Sequence, residues 1–128
     1  MAYGAEDMLR SFEMRARQQA EQAQQLSQSM QSRTATMESP GGEVRVTVDS
    51  TGGLAGLQFG AGADRIALDR LAELVLQVSR QAQAELAAAM SQLVVDMYGA
   101  GSATARFVSE AYTERFPSPV DDEDGERR

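Results

Sequence analysis

The chain has no cysteine, no histidine, no tryptophan and no lysine among its 128 residues. Without cysteine there is no disulfide framework and no thiolate metal site. Without histidine the chain lacks the commonest general base and the commonest transition-metal ligand. A nucleophile activated by histidine or lysine cannot be built either. These absences predict a protein that is not an enzyme and that has no cofactor and no metal.

Long hydrophobic runs and large aromatic side chains are also scarce. No apolar run approaches the roughly 18 to 20 residues that span a bilayer, and the first ten residues contain no apolar signal-peptide segment. We therefore expect a cytoplasmic protein without a membrane segment. Aromatic residues make up only 5% of the chain, and alanine, which buries little area, supplies much of the apolar content. A core this small predicts a homodimer in which a second copy completes it.

The net charge of −7 is divided between the body of the chain and its end. Residues 117–128 carry five acids and two arginines, a net charge of −3, and are predicted to form a disordered acidic tail. Residues 1–116 retain a net charge of −4, so removing the tail does not make the protein basic. Because non-specific nucleic-acid binding normally relies on positive surface, the overall charge disfavours it.

Alternation of apolar and polar residues marks a single β region, PGGEVRVTVDSTGGLAGLQF, at positions 40–59. Its valines at 44, 46 and 48 alternate with polar residues, as in a half-buried strand. Gly52 and Gly53 then indicate a hairpin turn into a second alternating strand that ends at Phe59. The preceding segment, 33–39, suits either the frayed end of a helix or a short third strand.

Two long helices are predicted on either side of this β region. The first, from about Ala5 to Ser32, has no glycine or proline and an apolar stripe in steps of three and four. The members of that stripe are Leu9, Phe12, Ala16, Ala23, Leu26 and Met30, interrupted by Gln19. We interpret it as a surface that packs against the other long helix or against a dimer partner. The second, from about Leu68 to Tyr98, has a core-facing stripe of Leu68, Leu71, Val75, Val78, Ala82, Leu86, Ala89, Leu93 and Met97.

The same patterns assign several individual side chains. Asp64 and Asp69 are candidate N-caps of the second long helix, and Gln83 falls on its polar side. Ser102 is the candidate cap of a short third helix, 103–115. The apolar side of that helix is predicted to comprise Phe107, Val108, Ala111 and Tyr112. The methionines lie mostly at helical spacing and are expected to fill the core.

Candidate chemistry is sparse, and most of it has an ordinary structural explanation. The paired carboxylates Glu6/Asp7 and Asp121/Asp122 are expected to be solvated charges, because nothing near them forms a pocket that would raise a pKa. The glycines of 53–62 fit neither a dinucleotide-binding nor a P-loop spacing, so turn glycine is the better interpretation. The first helix is the exception: 10–33 contains four arginines and only two acids. Two such helices in a dimer could straddle a phosphate backbone, although an ordinary solvated face explains the pattern slightly better.

The order and spacing of these segments resemble the YbaB/EbfC family of small bacterial nucleoid-associated proteins. The resemblance covers roughly Ala5 to Leu93 and rests on the Gly41-Gly42 turn before Val-x-Val, the Gly52-Gly53 turn, and the Leu- and Ala-rich last helix, 71–89. It implies an α+β protomer of order α-β-β-β-α, a homodimer with strands paired across the interface, and double-stranded DNA binding with little sequence specificity. The chain departs from the family pattern in its acidity, its lack of lysine and the added segment 99–128.

Three assignments follow from the pattern and the resemblance together. The expected domains are 1–98, a short helical extension at 99–116 and the acidic tail at 117–128. The expected DNA contacts are Arg10, Arg15, Arg17, Arg33 and Arg45. The expected dimer interface comprises Val44, Val46, Val48, Leu57, Phe59, Leu71, Val75 and Val78.

An adaptor is the alternative function. In that case the chain keeps the fold as a protein-interaction or chaperone-like dimer and has lost DNA binding. The third helix or the acidic tail would then offer a surface to a protein partner.

Overall fold

The computed structural model of the chain describes residues 4–119. In chain order the elements are α1 (Ala5–Gln31), β1 (Ala35–Glu38), β2 (Val44–Val48), β3 (Leu54–Phe59), a 3-10 turn (Ala63–Arg65), α2 (Leu68–Tyr98) and α3 (Ala103–Arg115). The predicted order, two long helices around three strands with a short helix after them, is confirmed. The ambiguous segment 33–39 contains strand β1. The predicted tail lies outside the described residues from position 120 onward.

The chain divides into two compact units, α1 and the part that follows it. Helix α1 is 27 residues long, and Leu26 is its buried residue. Met30 and Gln22 are partly covered, while the rest of the stripe towards the start of the helix is exposed. Met8 and Met14 are 75% and 63% exposed, so the expectation that the methionines fill the core is wrong for these two.

The three strands form an antiparallel sheet in the order β1-β2-β3. Side chains alternate along β2, so Val44, Val46 and Val48 point to one face and are at most 1% exposed. On the opposite face Arg45 lies directly across from Glu38, and their side chains approach to 3.4 Å. Both side chains of this cross-strand pair are about half exposed, so it contributes at most ~1 kcal/mol. Burial of the valines, roughly 1.5–3 kcal/mol each, dominates.

Helix α2 covers the valine face and packs mainly on β1 and β2. Its buried residues are Leu74, Val78, Ala82, Leu86, Ala87, Met90, Leu93 and Val94. The predicted stripe is therefore only partly right: Val78, Ala82, Leu86 and Leu93 are confirmed, but Leu68 is 82% exposed. Buried residues outside the predicted stripe widen the covered arc of α2, because the helix packs against the sheet and also against α3; they are Leu74, Ala87, Met90 and Val94. Leu68 is the first residue of the helix.

The start of α2 also differs from the sequence prediction. Its N-cap is Ala67, which has no side-chain capping bond, and the preceding 3-10 turn has Gly62 as its N-cap. Neither Asp64 nor Asp69 is an N-cap. Asp69 instead lies in the first turn of α2, where a carboxylate favours the positive end of the helix dipole.

Helix α3 begins at the predicted cap and packs on α2. The Ser102 hydroxyl accepts a hydrogen bond from the Ala105 amide at 3.0 Å. Ala105 and Val108 are the buried residues of this helix. The predicted apolar side is wrong at Phe107, which is 74% exposed, and at Ala111, which is also exposed, because the covered face of α3 is the one that carries Ala105 and Val108.

The β2–β3 turn is organised by Asp49. Its carboxylate accepts hydrogen bonds from the Thr51 hydroxyl at 2.6 Å, the Thr51 amide at 2.9 Å and the Gly53 amide at 3.1 Å. The bond from the Thr51 side chain, followed by the two amides, holds the pKa of Asp49 below its ordinary value. Gly52 has φ +84°, a left-handed conformation that glycine adopts without steric cost.

Candidate nucleic-acid interface

Three of the predicted DNA contacts lie on α1 with their side chains in solvent. Arg10 and Arg17 are seven residues apart, so they project from the same side of the helix. Both are exposed, and within residues 4–119 neither lies within ion-pair distance of a carboxylate. Long, unpaired guanidinium groups on a regular helix can reach phosphate oxygens at fixed spacing.

Arg15 is exposed too but points to a different side of α1. It lines a surface groove with Met8, Leu9 and Phe12, the bare apolar start of the helix. Leu9 and Phe12 are 57% and 67% exposed. The charge of Arg15 therefore lies beside apolar surface, whereas Arg10 and Arg17 are on another side of the helix.

Acidic residues reduce the positive field of α1. Glu13 precedes Arg17 by four positions, and Glu21 follows it by four, so all three occupy one side of the helix. Glu6 and Asp7 lie in the first turn, where their carboxylates interact favourably with the positive end of the helix dipole. The arginine side of α1 is consequently of mixed charge, so binding of an anion there would depend on ionic strength.

Arg33 lies outside α1, in the connection to β1. It lines a groove of about 480 Å³ whose other residues belong to α2. Two of these, Glu85 and Asp96, are acidic, so the groove is less attractive to phosphate than an isolated arginine would be. Arg45, on the sheet face opposite the buried valines, shares its charge with Glu38. Arg33 and Arg45 therefore lie on different parts of the surface, each beside acidic residues.

An exposed apolar surface runs along strand β3. Leu57 and Phe59 pair across the ladder with Val46 and Val44, and so project to the same side as these valines. Yet they are 39% and 54% exposed, because α2 lies over β1 and β2. Leu54, 58% exposed, continues this row.

Helix α2 carries a further exposed leucine on the side that faces the β2–β3 turn. Leu76 is 57% exposed, and it is seven residues before Gln83, so the two residues share one side of the helix. Gln83 donates to the Gly52 carbonyl at 3.0 Å, which shows that this side faces the β2–β3 turn. We call Leu54, Leu57, Phe59 and Leu76 the β3 patch. Sequence reasoning named Leu57 and Phe59 but missed Leu54 and Leu76, since periodicity does not show which strand the helix leaves uncovered.

The other residues of the predicted interface lie deeper. Val44, Val46, Val48 and Val78 are buried within the protomer, and Leu71 and Val75 are partly covered. Any contribution of the four buried valines to a dimer would therefore be indirect, by shaping the strand and helix that carry the patch. Strand β3 also leaves one edge without a partner among the described strands, and unpaired edges favour association.

Residues 4–119 lack two other kinds of feature. No cluster of three or more acidic residues is arranged to hold a metal ion. None of the helices there has the length and apolarity of a membrane span.

Comparison with known proteins gives one match. The sequence model of the YbaB/EbfC DNA-binding family matches residues 6–101, about three quarters of the chain. No curated protein and no solved structure matches. The matched region contains α1, the sheet and α2 and ends just before α3.

Proposed function

Because the chain belongs to the YbaB/EbfC DNA-binding family, we propose that it binds double-stranded DNA through backbone phosphates and with little sequence preference. The observation that carries this proposal is a set of exposed arginines on α1 that form no ion pair within residues 4–119: Arg10, Arg15 and Arg17. Arg33 and Arg45 add weaker contacts, since each has acidic neighbours. In the cell the protein would act at the nucleoid, in the cytoplasm, organising DNA or modulating expression.

The proposed binding unit is a homodimer. The β3 patch and the unpaired edge of β3 support it, because a second copy placed there would cover apolar surface and pair the edge at once. A dimer would present two copies of α1 to one duplex. A dimer that engages six to ten phosphates should lose about 10³- to 10⁵-fold in affinity between 50 and 200 mM salt.

The test is a titration of a labelled duplex at about 50 mM salt, read by fluorescence anisotropy. Two proteins are compared, the full chain and a chain that ends at Phe116. Binding by the full chain supports the proposal. Binding by the shortened chain alone supports DNA binding and identifies the acidic tail as an inhibitor. If neither binds, the chain has kept the fold without the activity.

The residue assignment needs a matched pair of variants. Arg10→Ala/Arg15→Ala/Arg17→Ala should weaken binding at least tenfold and make it less sensitive to salt. Arg70→Ala/Arg80→Ala/Arg106→Ala removes the same charge from exposed positions of α2 and α3 and should bind more strongly than the first variant. Equal losses in both variants would refute the assignment to α1 while leaving DNA binding in place.

The dimer is tested through the β3 patch. Light scattering at micromolar concentration should give twice the mass of the chain, and Leu57→Asp should give one chain mass. Leu68→Asp is the control, since Leu68 is exposed but outside the patch. A monomeric wild-type protein would contradict the proposed dimer.

The net charge of −7 favours a second candidate function, an adaptor dimer that binds a protein partner and no DNA. The exposed Phe107 on α3 is one surface that such a partner could contact. A dimer that fails to bind DNA with and without its tail would favour the adaptor.

A further inference from the structure

The β2–β3 turn is held by both of the helices that follow the sheet. From α2, the Gln83 side-chain amide donates to the Gly52 carbonyl at 3.0 Å. From α3, the Tyr112 hydroxyl donates to the Ser50 carbonyl at 3.2 Å. Two neighbouring carbonyls of one turn are thus satisfied by two different helices, although the Asp49 carboxylate already organises the turn from within.

Phe116, the residue that ends α3, closes this arrangement. Its ring lies so close to the Cα of Gly52 that a β-carbon at position 52 would collide with it, and Gly52 is buried as a result. The Arg115 guanidinium stands 5.2 Å from the centroid of the Phe116 ring, on its face, within cation-π range. The Tyr112 ring lies 6.3 Å from the Phe116 ring, within the range of aromatic pairs. Tyr112 of α3 and the C-cap residue Phe116 therefore both contact one turn of the sheet, and Arg115 stacks on Phe116.

Strand β3 depends on this turn more than a central strand would. It pairs with β2 alone among the described strands, and its ladder is interrupted by an irregularity at Thr47/Val48. Its large side chains receive little cover from α2. The position of β3 is therefore set by the part of the ladder beyond the irregularity and by the turn that precedes Leu54.

We propose that α3 is a clasp: it holds the β2–β3 turn closed and thereby sets the edge strand β3 for pairing with a second copy. The clasp lies beyond residues 6–101, so it is additional to the family-matched region. The pairing of β3 with a second copy rests on the homodimer proposed above, whereas closure of the turn by α3 does not. The segment 99–116 then supports the dimer interface indirectly, by positioning β3, although it carries none of the proposed contact residues.

Two phenylalanines of the same segment provide a matched test. Phe116→Ala removes the ring over Gly52, and Phe107→Ala removes a ring that is 74% exposed on another side of α3. Hydrogen exchange of the full chain is measured at the amides of Thr51, Gly52 and Gly53, all hydrogen-bonded within the turn. Phe116→Ala should speed their exchange about tenfold or more, and Phe107→Ala should leave it unchanged. Unchanged exchange in Phe116→Ala, or equal acceleration in both variants, would overturn the clasp.

Tyr112→Phe is a milder second variant for the case in which Phe116→Ala unfolds. It removes the hydroxyl that reaches Ser50 and keeps the ring, so we expect a smaller acceleration confined to the same turn. The link to pairing is read from the dimer dissociation constant, which should rise at least fivefold in Phe116→Ala and stay constant in Phe107→Ala. Faster exchange with an unchanged dissociation constant would refute that link. If the wild-type protein is a monomer, the dimer proposal fails. Hydrogen exchange alone then tests whether α3 closes the turn.

Discussion

The two long helices of this chain are similar in length but differ in what they do with their apolar residues. Helix α1 has 27 residues and one that is buried, whereas α2 has 31 residues and eight that are buried. The buried residues of α2 hold the protomer together, because the helix packs against the sheet and against α3. α1 keeps its arginines and much of its apolar stripe in solvent, where other molecules can reach them.

The amino-acid content of the two helices accounts for this difference. α2 carries apolar residues over a wide arc, so it can face two neighbours at once. α1 is rich in glutamine, and its apolar residues form a single narrow row interrupted by Gln19. A long regular helix is thus no evidence of a core role. The width of its apolar arc is the better indicator.

The largest expected difference between the two helices is in the loss of stability when one side chain on each is truncated. Leu86→Ala, at a fully buried position of α2, should lower the free energy of unfolding by about 2–5 kcal/mol. Phe12→Ala, at a 67% exposed position of α1, should change it by no more than about 0.5 kcal/mol. Urea unfolding at a fixed protein concentration measures both. Similar losses in the two variants would show that α1 has a packing partner as important as that of α2.

A second comparison asks whether α2 depends on its neighbour α3. Ser102→Ala removes the acceptor of the bond from the Ala105 amide and should cost about 1 kcal/mol. Ser27→Ala, at an exposed position inside α1, should cost nothing measurable, because alanine is the better helix former. Thermal unfolding of the two variants gives the answer. A cap variant as stable as the wild type would mean that α3 contributes little to the unit formed by α2 and the sheet.

A third comparison concerns charge, and its expected effect is smaller. Glu13→Gln/Glu21→Gln removes two acids from the arginine side of α1 and should strengthen duplex binding about threefold at 50 mM salt. Glu73→Gln/Glu110→Gln changes the net charge equally on α2 and α3 and should strengthen it less. Anisotropy titration of both variants separates a local effect from a global one. Equal gains would indicate that net charge matters and the position on α1 does not.

The smallest expected effect is a change in pH dependence at the turn that α2 and α3 hold. The folded state lowers the pKa of Asp49, so its stabilising contribution is complete above the ordinary value of 3.8 and is lost as pH falls through the folded pKa. Asp49→Asn keeps an acceptor oxygen but cannot titrate. Its stability should therefore fall less steeply than that of the wild type below pH 3.8. Parallel unfolding profiles in acid would show that the turn contributes nothing to the pH dependence.

The parts of the fold that depend on local chemistry could be predicted from the sequence. The alternating valines of β2 identify a strand and its buried face, and Ser102 identifies the start of α3. The sequence of the segment that contains β1 is compatible with both helix and strand, because four residues carry too little periodicity to decide. Its pairing with β2 settles the question, and pairing is not visible in a single sequence.

The parts that depend on neighbours could not be predicted in the same way. The sequence pattern predicts Gln83 on the polar side of α2; this prediction is wrong, since Gln83 is partly buried and donates to the Gly52 carbonyl. Phe116 is the last residue of the predicted extension, and nothing in the hydropathy pattern indicates that its ring lies over Gly52. Phe107 was expected to be packed and is exposed. Hydropathy does not distinguish these phenylalanines, because the difference arises from what each one faces.

The contact between Tyr112 and Ser50 gives the protein a built-in optical reporter. The chain contains three tyrosines and no tryptophan, so its near-ultraviolet absorption and emission are dominated by tyrosine. Tyr112 sits on the clasp, and Tyr98 ends α2 just before it. In a chain carrying Tyr3→Phe and Tyr98→Phe, Tyr112 is the single tyrosine, and its hydroxyl contacts the turn. Opening of the turn, with or without DNA or a second copy, could then be followed in real time without an attached dye.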